Sequence, residues 1–136
     1  MDYYFIQHSF CIYYERGRNV NTRKTGSEYE EKAATFLKEQ GIFILETNFR
    51  CRFGEIDLIA RDKNTLVFLE VKYRKNGSCG SPLEAVDWRK QRTICKVSDY
   101  YRVRHQITDS TPMRYDVIGI GGEDITWVKN AFDYIG

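Results

Sequence analysis

The order of apolar and polar positions along the chain predicts two helices and five strands. Ser27 is a candidate N-cap with Glu30 in the capping-box position, so the first helix is expected to begin there and to end before Gly41. A second helical pattern extends from Leu83 to about Val103. Apolar runs bounded by polar turn signals predict strands at 42–48, 54–60, 65–74, 115–120 and 124–129. The order α-β-β-β-α-β-β is typical of an α/β sandwich, in which helices flank a central mixed β-sheet.

Charged residues inside the second and third predicted strands are the first chemical signal. A polar turn between these strands predicts a hairpin, which makes them neighbours in the sheet. Side chains alternate between the two faces of a strand, so Glu55, Asp57 and Ile59 are expected to share one face. By the same rule Glu70 and Lys72 share a face of the third strand. Charges are costly to bury unpaired, so these positions require a physical explanation.

On spacing alone, three explanations remain open for these charges. Glu70 and Lys72 could form a structural ion pair, or the charges could lie on a half-exposed strand face. In the third explanation, Asp57 and Glu70 hold a divalent cation while Lys72 approaches a reacting phosphate. Glu30 shares the apolar side of the first helix with Leu37, so its carboxylate is expected on the side that meets the core.

Composition adds few constraints on function. The chain has 136 residues, of which 42% are hydrophobic and 29% charged, as expected for one globular domain rather than a disordered chain. A net charge of +2 is too mild to identify a nucleic-acid partner, so that inference must rest on local patches. Four cysteines without a CxxC pair, and only two histidines, argue against a zinc site. Widely spaced cysteines without a secretory signal predict a cytoplasmic location.

Residues 1–25 are predicted to be an N-terminal extension of unknown structure, and residues 26–136 a single domain. The apolar run at 3–14 is shorter than the ~20 residues that a membrane-spanning helix needs. It also lacks the basic start and the small-residue cleavage site of a signal peptide. An added strand, a docking segment and a tail all fit this extension, while a membrane partner is not expected.

The second predicted helix is basic. Between Glu84 and His105, six Lys or Arg stand against three acids, a surplus that suits phosphate contacts but also fits a solvated helix face. Lys90 lies on the apolar stripe of this helix and should point inward or toward the site. Trp88 and Tyr73 could stack on bases or simply pack at the core or its rim.

The charged strand positions resemble a known nuclease signature. An acidic residue followed at a distance by Glu-x-Lys, here Asp57, Glu70 and Lys72, is similar to the signature of the PD-(D/E)XK nuclease superfamily. The wider match resembles the YraN family of uncharacterised, predicted endonucleases, which is similar to archaeal Holliday-junction resolvases. The runs that carry this resemblance are GEIDLIA at 54–60, VFLEVKYR at 67–74, LEAV at 83–86, RYDV at 114–117 and NAF at 130–132.

The resemblance implies a restriction-endonuclease-like α/β sandwich and a metal-dependent endonuclease that hydrolyses DNA phosphodiester bonds, with branched or processed DNA as its substrate. It implies that Asp57, Glu70 and Lys72 are catalytic. It also implies that Glu30 joins Asp57 and Glu70 in binding Mg²⁺ or Mn²⁺. Tyr29 stands where the family usually has glycine. Analogy with the resolvases implies a homodimer.

Contacts with the nucleic-acid backbone are expected from basic side chains near this motif, namely Arg74, Arg89, Lys90 and Arg92. The alternative function is a non-catalytic nucleic-acid-binding or adaptor module that keeps the same fold.

Overall fold

A computed structural model of the chain describes residues 2–6, 20–73 and 82–136. Within these residues six strands, two helices and one 3-10 turn follow one another along the chain. They are β1 (Asp2–Ile6), α1 (Val20–Glu39), β2 (Phe43–Cys51), β3 (Gly54–Asp62), β4 (Thr65–Tyr73), the 3-10 turn (Pro82–Ala85), α2 (Trp88–Arg104), β5 (Met113–Gly121) and β6 (Asp124–Phe132).

All six strands belong to one mixed sheet, in the order β1-β6-β5-β4-β3-β2. β4 and β5 are parallel, and the other neighbouring pairs are antiparallel. The predicted hairpin of β3 and β4 is confirmed, with a two-residue turn at Lys63 and Asn64. α2 supplies the crossover that a parallel β4–β5 pair requires. The predicted restriction-endonuclease-like α/β sandwich is therefore confirmed, with β1 added at one edge of the sheet.

The two helices cover opposite faces of the sheet. Alternate residues of β4 belong to two separate buried clusters: Phe68 packs with α2, whereas Val67 and Leu69 pack with α1. The α2-face cluster includes Ile94, Val97 and Tyr101 of that helix. The α1-face cluster includes Ala33, Phe36 and Leu37. No helix among the described residues combines the length and apolar character needed to cross a membrane.

Both helices begin at positions that differ from the prediction. α1 begins at Val20, so the N-cap predicted at Ser27 is wrong, and Ser27 lies inside the helix. No proline interrupts residues 20–27, and the single Gly26 costs a helix only about 1 kcal/mol. α2 begins at Trp88 because Asp87 caps it, its side chain accepting a hydrogen bond from Lys90 N–H at 2.8 Å. The residues just before Asp87 form the separate 3-10 turn.

Regular alternation breaks down in β3 beside the charged residues. Ile56 and Ile59 both belong to the α2-face cluster although they are three residues apart, whereas Leu58 faces α1. The opposing position on β2 is Asn48, which has a left-handed φ of 53° between the pairs Thr47↔Leu58 and Phe49↔Ile56. The prediction that Ile59 shares a face with Asp57 is therefore wrong.

Arg114 and Asp116 form a buried structural network at β5 and β6. The Asp116 carboxylate is 0% exposed and accepts hydrogen bonds from Arg114 Nε, Trp127 Nε1 and Asn130 N–H. Arg114 Nη1 also lies 2.8 Å from Asp62 Oδ2. Burial raises the pKa of the Asp116 carboxyl even though these donors favour its charged form. This motif joins the strands β3, β5 and β6.

Candidate metal and phosphate site

A cleft of about 330 Å³ opens where β4 emerges between the two helices. α1 contributes Tyr29 and Glu30 to its wall, and α2 contributes Lys90. The β4 residues in the wall include Glu70 and Lys72. The pairing of β3 with β4 ends with Leu58 opposite Leu69, just before these residues. The sheet therefore opens at this point, and side chains from both of its faces meet in one cleft.

Three carboxylates converge on the α1 side of this opening. Oxygen atoms of Glu30, Glu55 and Asp57 all lie within 4.8 Å of one another. Asp57 is 1% exposed, and its Oδ2 accepts a hydrogen bond from Val71 N–H at 2.9 Å. That bond fixes the Asp57 side chain across the gap between β3 and β4. Glu30 and Asp57 are thus brought together as the sequence predicted.

Glu55 makes two kinds of contact at this site. It belongs to the carboxylate triplet, and its Oε2 also lies 3.0 Å from Arg50 Nε on the neighbouring strand. Arg50 offsets part of the negative charge of the triplet. Alternation along β3 already put Glu55 beside Asp57, and this signal was sufficient to find it.

Glu70 lies on the other side of the opening and is not part of the triplet. Its Oε1 is 3.5 Å from both Lys72 Nζ and Lys90 Nζ, so two lysines from different elements share one carboxylate oxygen. Its Oε2 is buried and has no hydrogen-bond partner among the residues that the structure describes. Glu70 is only 2% exposed, and a buried carboxylate oxygen without a partner is costly. This oxygen is available to a ligand that enters the cleft.

These donors fit a hard divalent cation. Carboxylate oxygens are the ligands that Mg²⁺ and Mn²⁺ prefer, and octahedral Mg²⁺ keeps several of its waters. The triplet supplies oxygens from two elements, and Glu70 Oε2 supplies another at the opposite wall. Of the predicted ligands, Glu30 and Glu70 line the cleft, and Asp57 meets Glu30 in the carboxylate triplet, with Glu55 as a further donor.

An aromatic pair forms part of the cleft wall. The rings of Tyr29 and Tyr73 are stacked with their centroids 3.6 Å apart. Burial raises the pKa of the Tyr29 hydroxyl, and its hydrogen bond with Tyr73 adds to the shift. Tyr29 is the residue that replaces the usual glycine of the resembling family. The stack shows how α1 accommodates this larger residue, through a partner on β4.

The predicted nucleic-acid contacts are divided between the cleft and its rim. Lys90 lines the cleft beside Glu70, whereas Arg89 and Arg92 are exposed on α2. Arg74 lies outside the described residues. Trp88 is 58% exposed, with the guanidinium carbon of Arg92 5.5 Å from its ring centroid. The exposure of Trp88 excludes packing in the core, while packing at the rim and stacking on bases both stay open.

A mixed α/β sandwich with acidic residues and lysines gathered at the open end of β4 defines a domain of the restriction-endonuclease-like class. The chain belongs to the uncharacterised protein family UPF0102, whose sequence profile matches residues 29–120. UPF0102 is the YraN family, so the resemblance found in the sequence motifs is confirmed.

Curated relatives match over most of their own length. A UPF0102 protein of Lachnoclostridium phytofermentans is 46% identical over 117 residues, covering 86% of this chain and 99% of the relative. One from Caldicellulosiruptor saccharolyticus is 43% identical over 119 residues, covering 83% and 100%. One from Legionella pneumophila is 42% identical over 114 residues, covering 82% and 97%. Family membership shows common ancestry, whereas the activity depends on the residues of the site.

Proposed function

We propose that the protein is a metal-dependent endonuclease that hydrolyses DNA phosphodiester bonds, with branched or processed DNA as its substrate. The observation that carries this proposal is the convergence of Glu30, Glu55 and Asp57 beside the buried Glu70–Lys72 pair. A structural ion pair alone accounts for Glu70 and Lys72. It does not account for three further carboxylates with oxygens within 4.8 Å of one another, an arrangement that a divalent cation would stabilise.

The acidic residues would hold one or two divalent cations, which supply charge neutralisation at the phosphate and orient the attacking water. Asp57 is suited to rigid binding because it is buried and tied to Val71 N–H. Glu30 and Glu55 are less buried and can adjust to the ligand geometry. Mg²⁺ and Mn²⁺ are the cations that match oxygen donors of this kind.

Lys72 and Lys90 would bind the scissile phosphate. Their side chains are 22% and 27% exposed, so each ammonium group reaches both the cleft and Glu70. Both lysines share Glu70 as their counter-charge, so a cation held by Glu70 would leave their charges available to phosphate oxygens. Lys72 lies next to Glu70 on the same strand, which places it to stabilise charge that develops in the transition state.

Cleavage assays on a panel of DNAs test this function. Wild-type protein is incubated with four-way junctions, flaps, single strands and duplexes in the presence of Mg²⁺ or Mn²⁺. We expect metal-dependent cleavage of at least one structure, and its loss in Lys72→Met and Asp57→Asn while the far-UV circular dichroism is retained. The function is refuted if no DNA on the panel is cleaved with either metal.

Lys129→Met is the matched control for Lys72→Met. Lys129 is also a strand lysine that faces a carboxylate, with its Nζ 3.8 Å from Asp62 Oδ2 and a side-chain exposure of 23%. Its removal should leave cleavage unchanged, because it lies away from the cleft walls. Salt-sensitive DNA binding without any cleavage, unaffected by Lys72→Met, would instead indicate the non-catalytic binding module.

A further inference from the structure

Trp88 is a large apolar side chain left in solvent directly beside the cleft. It is 58% exposed, whereas Trp127, the other tryptophan of the chain, is 3% exposed. It follows Asp87, which caps α2 and lines the cleft. The position therefore combines an open aromatic face with immediate proximity to the proposed catalytic opening.

The exposed side of α2 around Trp88 is basic. Residues spaced by four lie above one another on a helix, so Trp88, Arg92 and Lys96 form one stripe. Arg89 lies beside that stripe, and it is exposed like Arg92 and Lys96. From Trp88 to Ser98 the helix contains no acidic residue. We call the exposed residues Trp88, Arg89, Arg92 and Lys96 the α2 platform.

A second arginine–aromatic pair borders the α2 platform. Phe53, in the turn between β2 and β3, is 42% exposed, and the guanidinium carbon of Arg52 lies 4.7 Å from its ring centroid. The turn is held close to α2, because a Cβ on Gly54 would lie 2.7 Å from Thr93 Cγ2. Phe53 also contacts Tyr100 of α2 edge-on, with ring centroids 6.3 Å apart. Basic and aromatic side chains therefore continue from α2 onto this turn.

This combination fits a nucleic-acid strand with unpaired bases. Guanidinium and ammonium groups bind phosphates regardless of sequence, and every base has a face that can stack on an aromatic ring. In a duplex the bases are stacked on one another, so an exposed tryptophan reaches them only where pairing is interrupted. A protein partner would require a wider apolar patch than one ring among charges.

We propose that the α2 platform binds an unpaired nucleotide next to the cleaved strand, with its base stacked on Trp88 and its flanking phosphates on Arg89, Arg92 and Lys96. The inference rests on the proposed function, since it names the kind of DNA that the cleft receives. It assigns the preference for interrupted duplexes to a particular side chain. Arg92 serves both parts of the contact, because it already lies over the Trp88 ring.

Binding without cleavage tests this inference separately from the nuclease activity. A fluorescently labelled single-stranded oligothymidine and a blunt duplex of equal length are titrated with protein in EDTA. Trp88→Leu should weaken binding of the single strand by roughly tenfold, the usual effect of losing one stacked base, and should leave the duplex nearly unchanged. Oligothymidine should also quench tryptophan emission in wild type, and Trp88→Leu should lose the quenching because Trp127 is buried.

Phe43→Leu is the matched control. Phe43 is 64% exposed with the Arg61 guanidinium carbon 5.2 Å from its ring centroid, at the opposite end of the β2–β3 hairpin. The same chemistry away from the cleft should give no change in either titration. Arg92→Gln and Lys96→Gln should each reduce the salt dependence of binding, by about one unit of the logarithmic slope.

The inference is overturned if Trp88→Leu binds the single strand as tightly as wild type, or if it weakens duplex and single strand equally. A change of oligomeric state in Trp88→Leu with unchanged DNA binding also overturns it. Lys72→Met separates the two proposals. If single-strand binding depends on Trp88 while no DNA is cleaved, the α2 platform is supported and the nuclease activity is refuted. If cleavage requires Lys72 while Trp88→Leu has no effect on binding, the nuclease activity is supported and the α2 platform is refuted.

Discussion

Asp57 offers the sharpest test of the proposed metal site, because its charge and its hydrogen bond can be removed separately. Asp57→Asn keeps the side-chain volume and an oxygen that can accept from Val71 N–H, but it removes the negative charge. Asp57→Ala removes the charge and the acceptor together. In the metal-free protein, comparing wild type with Asp57→Asn isolates the cost of holding a third carboxylate next to Glu30 and Glu55, and comparing Asp57→Asn with Asp57→Ala isolates the hydrogen bond.

The expected size of the effect follows from the geometry. Two unit charges 4.8 Å apart repel by about 3.5 kcal/mol at an effective dielectric constant of ~20. Glu30 and Glu55 are partly exposed, the Glu55 side chain by 14%, and Arg50 lies 3.0 Å from Glu55, so solvent and this cation offset part of the repulsion. Asp57→Asn should therefore raise the free energy of unfolding by about 1–2 kcal/mol in EDTA. Asp57→Ala should lie about 1–3 kcal/mol below it, because Val71 N–H loses its partner.

Urea denaturation with and without Mg²⁺ measures both sides of this balance. At a Mg²⁺ concentration 100 times its dissociation constant, wild type should gain about 2.7 kcal/mol of stability, and Asp57→Asn should gain far less. Asp57→Asn should therefore be more stable than wild type in EDTA and less stable than wild type at high Mg²⁺. Two results would refute the reasoning: Asp57→Asn as unstable as Asp57→Ala in EDTA, or equal stabilisation of wild type and Asp57→Asn by Mg²⁺.

Three other sets of variants test the contacts around the site. Lys72→Met and Lys90→Met should each lower the free energy of unfolding by about 1 kcal/mol. Together they should lower it by about 3–5 kcal/mol, because Glu70 then loses both of these counter-charges. Additive losses in a double-mutant cycle, measured by denaturation, would contradict this coupling. Asp116→Ala should cost about 3–5 kcal/mol in calorimetry, since its buried donors lose their acceptor, and a loss below about 1 kcal/mol would exclude a structural role for the network. Gly54→Ala should cost about 1–3 kcal/mol, because φ is +146° and the new Cβ meets α2, and an unchanged melting temperature would show that the turn can move away.

The fold could be predicted from the sequence where local patterns and global packing agree. Alternation along β4 correctly separated Phe68, Glu70 and Lys72 from Leu69, because both faces of this central strand are covered by helices. The helical-face argument predicted Glu30 on the side of α1 that meets the core, and its carboxylate oxygen lies within 4.8 Å of that of Asp57 on β3. These predictions needed only the periodicity of helices and strands and the fact that apolar side chains are stabilised by burial.

The remaining features depend on contacts that no local pattern contains. The change of face in β3 occurs beside Asn48 on another strand, so the sequence of β3 alone could not reveal it. The start of α2 depends on Asp87, whose side chain accepts a hydrogen bond from Lys90 N–H. The helical spacing of apolar residues continues through the preceding 3-10 turn without a break, so spacing alone could not separate the two.

The balance of charge at the opening gives a physical reason for metal to precede DNA. Among the residues that the structure describes there, the carboxylates of Glu30, Glu55, Asp57 and Glu70 gather at the opening, with Arg50 beside Glu55 and with Lys72 and Lys90 beside Glu70. This concentration of carboxylates disfavours the approach of a phosphodiester. The charge of Asp87 is set against the positive end of α2, whose first turn it caps. In the proposed function, a divalent cation held by these carboxylates would offset their repulsion of a phosphodiester. Lys72 and Lys90, which hold Glu70, would then be the groups that receive the strand.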